Sequence, residues 1–261
     1  MTPVRTAADW TAWLDRAGLD RVVVVSPHPD DAVFSLAGFL QAAPARTEVL
    51  TLFTAAVPGP VTDWARATGF ADNEAEAQAR RAEDARAMNR LGCRFRHAGL
   101  VPGEDLAPKV PGLVRQLAAD HPAGLARTLV LLPAGAGAPP PPGWVQWLRR
   151  AVRRPSGAPP HGEHVQTRDH WWRALTAGAG VRVGFYAELP YAWAHSHARL
   201  QAHLAAALGV NTERVAHRPS VDDKARLVDL YASQATPILG AGAYRRRVLA
   251  REECLFIAPG G

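Results

Sequence analysis

The sequence predicts an α/β fold, in which a mostly parallel sheet is flanked by helices and followed by a helical C-terminal part. Short apolar runs rich in β-branched residues alternate with helical patterns up to about residue 190. The run from Arg21 to Ser26 is typical of a parallel strand buried on both faces. After Pro190 the helical patterns follow one another. These observations favour a doubly wound, Rossmann-like arrangement.

Apolar residues at helical spacing predict the helices. In one of them Val33, Leu36, Ala37 and Leu40 recur at i, i+3, i+4 and i+7, and Gly92 is placed to end another as its C′ residue. The predicted helices are, in order, 7–17, 31–43, 74–91, 110–119, 165–177, 196–208, 221–234 and 241–250. The predicted strands are 21–26, 47–53, 93–98, 128–132 and 181–186, with 253–257 as a late edge strand.

Length and composition limit the class of protein. The 261 residues are expected to form one domain, 1–261, with an insertion at about 134–160. Cys93 and Cys254 lie outside any C-x-x-C pattern, so no disulfide framework is implied and a cytoplasmic location is expected. No apolar run is long enough for a transmembrane segment. The net charge of +6 comes without a basic, aromatic-bearing strand, so no nucleic-acid partner is expected. The oligomeric state is left open.

Polar residues with catalytic potential follow the first strand. His28, Asp30 and Asp31 stand where that strand ends, and ligands of open α/β sheets bind beyond the carboxyl ends of the strands. Pro27 and Pro29 restrict the backbone on either side of His28. This position predicts a binding or catalytic site at the first strand–helix turn.

A second polar cluster, His161-Gly162-Glu163-His164, follows the strand at 128–132 after the long insertion. If the two strands are neighbours, His28, Asp31 and His164 supply two imidazoles and a carboxylate, which suits a catalytic zinc ion. Asp30 would then act as general base toward the attacking water. His161, as imidazolium, would stabilise an oxyanion or protonate a leaving amine. Such a set suits hydrolysis of an amide.

A structural interpretation of the same residues is open at this stage. An Asp after a strand is often a helix N-cap, and Asp30 or Asp31 would cap the following helix equally well. Histidines beside a Pro-rich loop, as His161 and His164 are, are by default solvated.

Longer stretches of the sequence help to choose between the catalytic and the structural interpretation. The segment "SPHPDDAVFSLAGFL" resembles the first motif of the LmbE-like (PIG-L) family of N-acetylglucosaminyl deacetylases, which are zinc amidohydrolases. Likewise "ARRAEDARAMNRLG", "HGEHVQTRD", "FYAELPY" and "KARLVDLYASQ" are similar to later family segments, in the expected order from about residue 21 to 257.

The resemblance implies a site and an activity. It assigns His28, Asp31 and His164 as zinc ligands, Asp30 as general base and His161 as the electrostatic or acid partner. Arg80 would bind a polar group of the substrate, although an i,i+3 pair with Glu83 explains it nearly as well. The implied reaction removes an N-acetyl or other N-acyl group from an amino sugar or glycosylated small molecule, as in tailoring of an antibiotic. Iron(II) fits the same donors in cells.

Two alternatives accompany this prediction. A thiol-conjugate amidase would use the same site on a larger acyl group, and a binding protein would retain the fold without turnover. A nucleotide-binding protein is disfavoured, because no G-x-G-x-x-G pattern or P-loop follows the first strand. Tyr186 and Tyr191 are expected in the core rather than the site.

The chain departs from the family pattern in three ways. Ala32 replaces the usual acidic residue after His-Pro-Asp-Asp, and Glu163 replaces Asp in His-x-Asp-His. Residues 134–160 replace a short link and contain "WVQWLRRAVRR". This stretch predicts a cationic amphipathic helix that acts as a lid, faces lipid or simply packs on the surface.

Overall fold

The computed structural model describes residues 2–4, 7–121, 124–137, 160–178 and 180–259. Eight strands in these ranges form one sheet. They are β1 (Thr2–Val4), β2 (Arg21–Ser26), β3 (Thr47–Phe53), β4 (Arg94–Leu100), β5 (Thr128–Pro133), β6 (Arg182–Tyr186), β7 (Glu213–His217) and β8 (Glu253–Ile257). Their order across the sheet is β1-β7-β8-β6-β5-β2-β3-β4. Only β8 runs against its neighbours, so the predicted mostly parallel sheet is confirmed.

Helices cover both faces of this sheet. Those in the described ranges are α1 (Ala7–Arg16), α2 (Asp31–Ala42), α3 (Asp63–Ala67), α4 (Asn73–Leu91), α5 (Val110–Ala119), α6 (Gly162–Thr176), α7 (His197–Leu208), α8 (Val221–Val228), α9 (Ala235–Leu239) and α10 (Gly242–Leu249). Two buried apolar clusters lie on opposite sides of the sheet, as the alternation along β2 shows: Val22 and Val24 belong to one, Val23 and Val25 to the other. None of the described helices is both long and apolar enough to cross a bilayer.

The C-terminal part differs most from the sequence prediction. The strand 253–257 has the predicted bounds but is not an edge strand, since β8 lies between β6 and β7 and pairs antiparallel with both. The predicted helix 221–234 is wrong in length, because α8 ends at Val228 and a turn precedes α9. The sequence analysis predicts neither β1 nor β7. Strand β7 begins with the exposed Glu213 and ends with the half-buried His217, which hides the apolar signal of a buried strand.

Helix α2 is interrupted behind the sheet. Leu36 has non-helical dihedral angles (φ −132°, ψ 20°), and the backbone N–H groups of Gly38 and Phe39 donate to the carboxylate of Glu253 instead of completing the helix. Lys224 Nζ lies 2.8 Å from the same carboxylate. The buried ion pair therefore fixes the second half of α2 to β8 and α8.

The topology brings the two predicted polar clusters together. Strands β2 and β5 are parallel neighbours, with Val24 opposite Leu131. Their carboxyl ends thus lie at the same edge of the sheet, where β2 leads into α2 and α6 begins with residues 162–164.

Candidate metal centre and catalytic cleft

The turn between β2 and α2 is held by its own polar groups. Ser26 Oγ donates to the carbonyl oxygen of His28 at 2.7 Å and accepts from the N–H of Ala32 at 3.2 Å. The N–H of His28 donates to Asp31 Oδ2 at 2.9 Å. Asp30 occupies the N-cap position of α2 but makes no side-chain capping hydrogen bond. Asp30 therefore does not serve as the helix cap.

Three donor atoms converge at this turn. Asp31 Oδ2 lies 3.1 Å from His28 Nδ1 and 3.2 Å from His164 Nε2, and the two ring nitrogens are 3.4 Å apart. Ligands about 2.0–2.1 Å from a tetrahedral zinc ion stand roughly 3.4 Å from one another. Asp31 and His164 are buried. The donor set and its spacing fit a metal ion bound by two imidazoles and a carboxylate.

Glu163 contacts the far side of one of these imidazoles. Its Oε2 lies 2.6 Å from His28 Nε2 and 3.6 Å from His161 Nδ1, and its Oε1 accepts the N–H of Gly103. Metal-binding histidines commonly donate their second ring nitrogen to a carboxylate, which fixes the ring and its tautomer. The longer side chain at position 163 thus reaches His28.

The carboxylates of Asp31 and Glu163 favour a positive charge at the cluster. Burial lowers the pKa of His28, but hydrogen bonds and charges from Asp31 and Glu163 outweigh it and raise this pKa to about 9. For Asp31, burial is opposed by the charge and hydrogen bond of His164 and by those of His28, which hold its pKa well below the usual range. Without a metal the site holds a proton, which an incoming cation must displace.

Asp30 faces the cleft beside the donor set, and Arg80 binds it. Arg80 Nη2 lies 3.0 Å from Asp30 Oδ1, and Arg80 Nη1 lies 3.3 Å from Glu76 Oε1. Burial raises the pKa of Asp30, although the charge of Arg80 opposes this shift. The alternative pair with Glu83 is not formed, because Glu83 accepts hydrogen bonds from Ser233. Arg80 therefore acts on Asp30 directly.

His161 lies at the N-cap of α6 and faces the same cleft. Its ring centroid is 5.0 Å from that of His28 and 5.8 Å from that of Tyr191. Burial and the neighbouring imidazoles lower the pKa of His161 to about 4. This shift favours a neutral ring, which can donate one hydrogen bond, over the imidazolium expected from the sequence.

A cleft of about 400 Å³ opens above the donor set. The residues predicted from the sequence that line it are His28, Asp30, Asp31, Arg80 and His161. Tyr191 also lines it, contrary to the expectation of core packing, with its ring 4.9 Å from that of His164. Tyr186 is buried as predicted, and its hydroxyl donates to the carbonyl oxygen of Val25 at 3.1 Å.

Sequence reasoning missed a large part of the cleft lining. This part comes from the segment after β3, from the turn after β6 and from the region around α9, namely Val57, Thr62, Trp64, Leu189, Pro190, Gln234 and Ile238. No spacing pattern links these distant segments. The one available signal was a lone tryptophan in a Gly- and Pro-rich segment at 58–69.

His28 also forms a group of metal-ligand type with His161 and Glu163. A further such group among the described residues, His197, Glu252 and Cys254, lies apart from the cleft. Arg214 donates to His197 Nδ1 and stands 3.9 Å from Glu252, so its guanidinium already supplies the cation. Most of the insertion at 134–160 lies outside the described residues, including its predicted amphipathic helix.

No protein-family model and no curated protein sequence matches the chain, but solved structures do. The zinc-inhibited form of teicoplanin deacetylase Orf2 aligns with a TM-score of 0.64 at 20% identity, covering 92% of this chain and 98% of that one. The A40926 pseudoaglycone deacetylase Dbv21 aligns at 0.62 and 19%, covering 92% and 97%. The N,N'-diacetylchitobiose deacetylase from Pyrococcus horikoshii aligns at 0.52 and 14%, covering 92% and 84%.

The chain has the fold of these deacetylases. The α/β fold that the sequence predicts is thereby confirmed over nearly its whole length. The matched proteins are deacetylases by name, which is the activity that the sequence resemblance implies.

Proposed function

We propose that the protein is a zinc-dependent N-deacetylase of the LmbE-like family. It would remove an N-acetyl or other N-acyl group from an amino sugar or a glycosylated small molecule. The observation that carries this proposal is the convergence of His28 Nδ1, Asp31 Oδ2 and His164 Nε2 within 3.4 Å of one another. Likeness of fold alone would leave the activity open.

The residues present fit the metal in number and kind. His28, Asp31 and His164 would hold zinc, and Glu163 would fix the ring of His28. Three protein ligands leave a position open, as in other catalytic zinc sites. When bound, zinc supplies a Lewis acid that polarises a carbonyl group and acidifies water.

Asp30 and His161 provide the proton chemistry. Asp30 is buried, and its raised pKa makes it a stronger base than an exposed carboxylate. It would accept the proton of the water that attacks the acyl carbon, while Arg80 keeps it oriented and ionised. His161, neutral and in the cleft, would donate a hydrogen bond to the carbonyl oxygen as negative charge develops there. The departing amine would take up the proton held by Asp30.

Sugar tailoring and a cytoplasmic setting are the finer parts of the proposal. Two of the matched deacetylases are named for teicoplanin and for the A40926 pseudoaglycone, which supports a glycosylated antibiotic intermediate as the substrate. Cys93 and Cys254 are both buried and free, which supports a reducing compartment. We also propose a single domain, with the insertion at 134–160 as part of it.

Metal content and acetate release test the proposal together. Purified wild type should contain about one zinc or iron(II) ion per chain and release acetate from N-acetylglucosamine conjugates. His164→Ala should lose both metal and turnover, whereas Asp30→Asn should keep the metal and lose turnover. His170→Ala, on the same helix but outside the cleft, is the matched control. Full activity of Asp30→Asn would contradict the assigned base.

A further inference from the structure

The lining of the cleft has two chemically different parts. His28, Asp30, Asp31, Arg80 and His161 form what we call the polar end. Val57, Trp64 and Ile238 form what we call the apolar end, and the largest of them is Trp64 on α3, which is 38% exposed. Trp64 is the one large apolar side chain that is exposed among the described residues. Because Trp64 lines the same cleft as these polar groups, its exposed ring offers an apolar contact surface to a molecule bound there.

The indole of Trp64 is held in place by a chain of hydrogen bonds. Its Nε1–H donates to Gln234 Oε1 at 3.1 Å, and Gln234 is fully buried. Gln234 Nε2 donates to Ser233 Oγ at 2.9 Å, and Ser233 Oγ donates to Glu83 Oε2 at 2.7 Å. A hydrogen-bond chain thus links the indole to α4. Little conformational entropy remains to be lost when a ligand packs on a ring held in this way.

The segment that carries Trp64 is also anchored. Asn73, buried at the start of α4, donates from Nδ2 to the carbonyl oxygens of Val57 and Pro60 at 2.8 and 3.0 Å. Its Oδ1 accepts the N–H of Thr62 at 2.8 Å. The wall formed by Val57 and Trp64 is therefore present before any ligand binds.

Few polar groups at this end are available to sugar hydroxyls. Both polar atoms of Gln234 are engaged by Trp64 and Ser233, and Thr62 Oγ1 accepts the N–H of Ala65 as the cap of α3. Val57 and Ile238 offer only apolar side chains. A sugar ring placed here would lose hydration without gaining partners.

We propose that this apolar wall, formed by Val57, Trp64 and Ile238, binds an apolar arm of the substrate. The substrate is then an amphipathic N-acyl amino sugar rather than a free sugar. The arm is either a long N-acyl chain or an apolar aglycone, and both have the same chemistry. This inference rests on the proposed function, because it takes the scissile amide to lie at the polar end.

Three probes of matched headgroup test the proposal: N-acetylglucosamine, N-octanoylglucosamine and the octyl β-glycoside of N-acetylglucosamine. The wild-type, full-length protein should prefer at least one octyl-bearing probe over N-acetylglucosamine by about tenfold or more in kcat/KM. Preference for the octanoyl probe identifies the acyl chain as the arm, and preference for the octyl glycoside identifies the aglycone. Where a probe is not hydrolysed, its Kd is measured by calorimetry, so failure of the proposed function leaves this comparison intact.

Variants test whether the apolar wall causes the preference for octyl-bearing probes. Trp64→Ala should reduce the preference for the octyl-bearing probe by about tenfold, and Trp64→Phe should restore part of it. Leu113→Ala, which removes a half-buried apolar side chain from α5 outside the cleft, is the matched control and should keep the preference. Thermal unfolding verifies that each variant is folded. Equal affinity of wild type for all three probes would overturn the inference. An equal loss of affinity for all three probes in Trp64→Ala would overturn it as well.

Discussion

Glu163 Oε2 lies 2.6 Å from Nε2 of His28, the residue whose other ring nitrogen is among the three converging donor atoms. The two residues are 135 positions apart in the chain. Since Gly103 donates a backbone N–H to the second carboxylate oxygen, Glu163 is held on both sides. Under the proposed function, this contact would fix the ring of His28 for metal binding.

Glu163→Gln should weaken zinc binding. The amide cannot supply the negative charge that favours the Nε2–H form of His28, so we expect the zinc Kd to rise about 10–100-fold. Competition with a chromogenic chelator measures this change. Glu104→Gln, in the neighbouring loop and outside the donor set, should leave the Kd within about twofold of wild type. Unchanged zinc affinity in Glu163→Gln would show that the contact with His28 has no orienting role.

Zinc affinity should depend steeply on pH. In the metal-free protein the pKa of His28 is raised to about 9 by Asp31 and Glu163 against the effect of burial, whereas zinc needs the neutral ring. The proton is therefore bound below pH 9 and must leave when the metal enters. We expect the apparent Kd for zinc to fall by about tenfold per pH unit from 6.5 to 8.5, levelling off above pH 9. Calorimetry in buffers of different ionisation enthalpy should detect the released proton. An apparent Kd for zinc that does not change with pH would contradict this prediction.

Arg80→Met should lower turnover without removing the metal. Arg80 opposes the burial-driven rise in the pKa of Asp30, so its loss should raise that pKa further and move the acid limb of kcat/KM to higher pH. A loss of about 10–100-fold in kcat/KM at neutral pH is expected. Arg81→Met is the control, because Arg81 points to Glu74 and the carbonyl oxygen of Thr54 instead. A raised KM with an unchanged acid limb of the pH profile would instead favour a purely substrate-binding role for Arg80.

Local signals predicted most of the sheet and the polar end of the site. The runs at β2 and β3 have their predicted bounds, because buried parallel strands carry uninterrupted apolar residues. His28, Asp31 and His164 could be grouped because two neighbouring strands deliver them to one edge. Trp64, Gln234 and Ile238 could not, since tertiary packing alone brings α3 and α9 together. The lowered pKa of His161 also depends on burial and on the neighbouring rings, which no local pattern reveals.

The ion pair between Lys224 and Glu253 should matter more for stability than any surface pair. Both side chains are 1% exposed, and Glu253 also accepts the N–H groups of Gly38 and Phe39. In Lys224→Met the carboxylate would stay buried beside an apolar side chain. We expect a loss of about 3–5 kcal/mol in the free energy of unfolding.

The chain contains its own control for this loss, since its other lysine also forms an ion pair. Lys109 lies 2.7 Å from Glu104, but its side chain is 47% exposed, so Lys109→Met should cost at most about 1 kcal/mol. Denaturant unfolding of both variants measures the difference. Equal losses of unfolding free energy in the two variants would mean that the buried Glu253 carboxylate is neutralised by taking up a proton. The double variant Lys224→Met/Glu253→Gln would then be no more stable than Lys224→Met. If the pair is ionised, that double variant should recover part of the loss, because no unpaired charge remains buried.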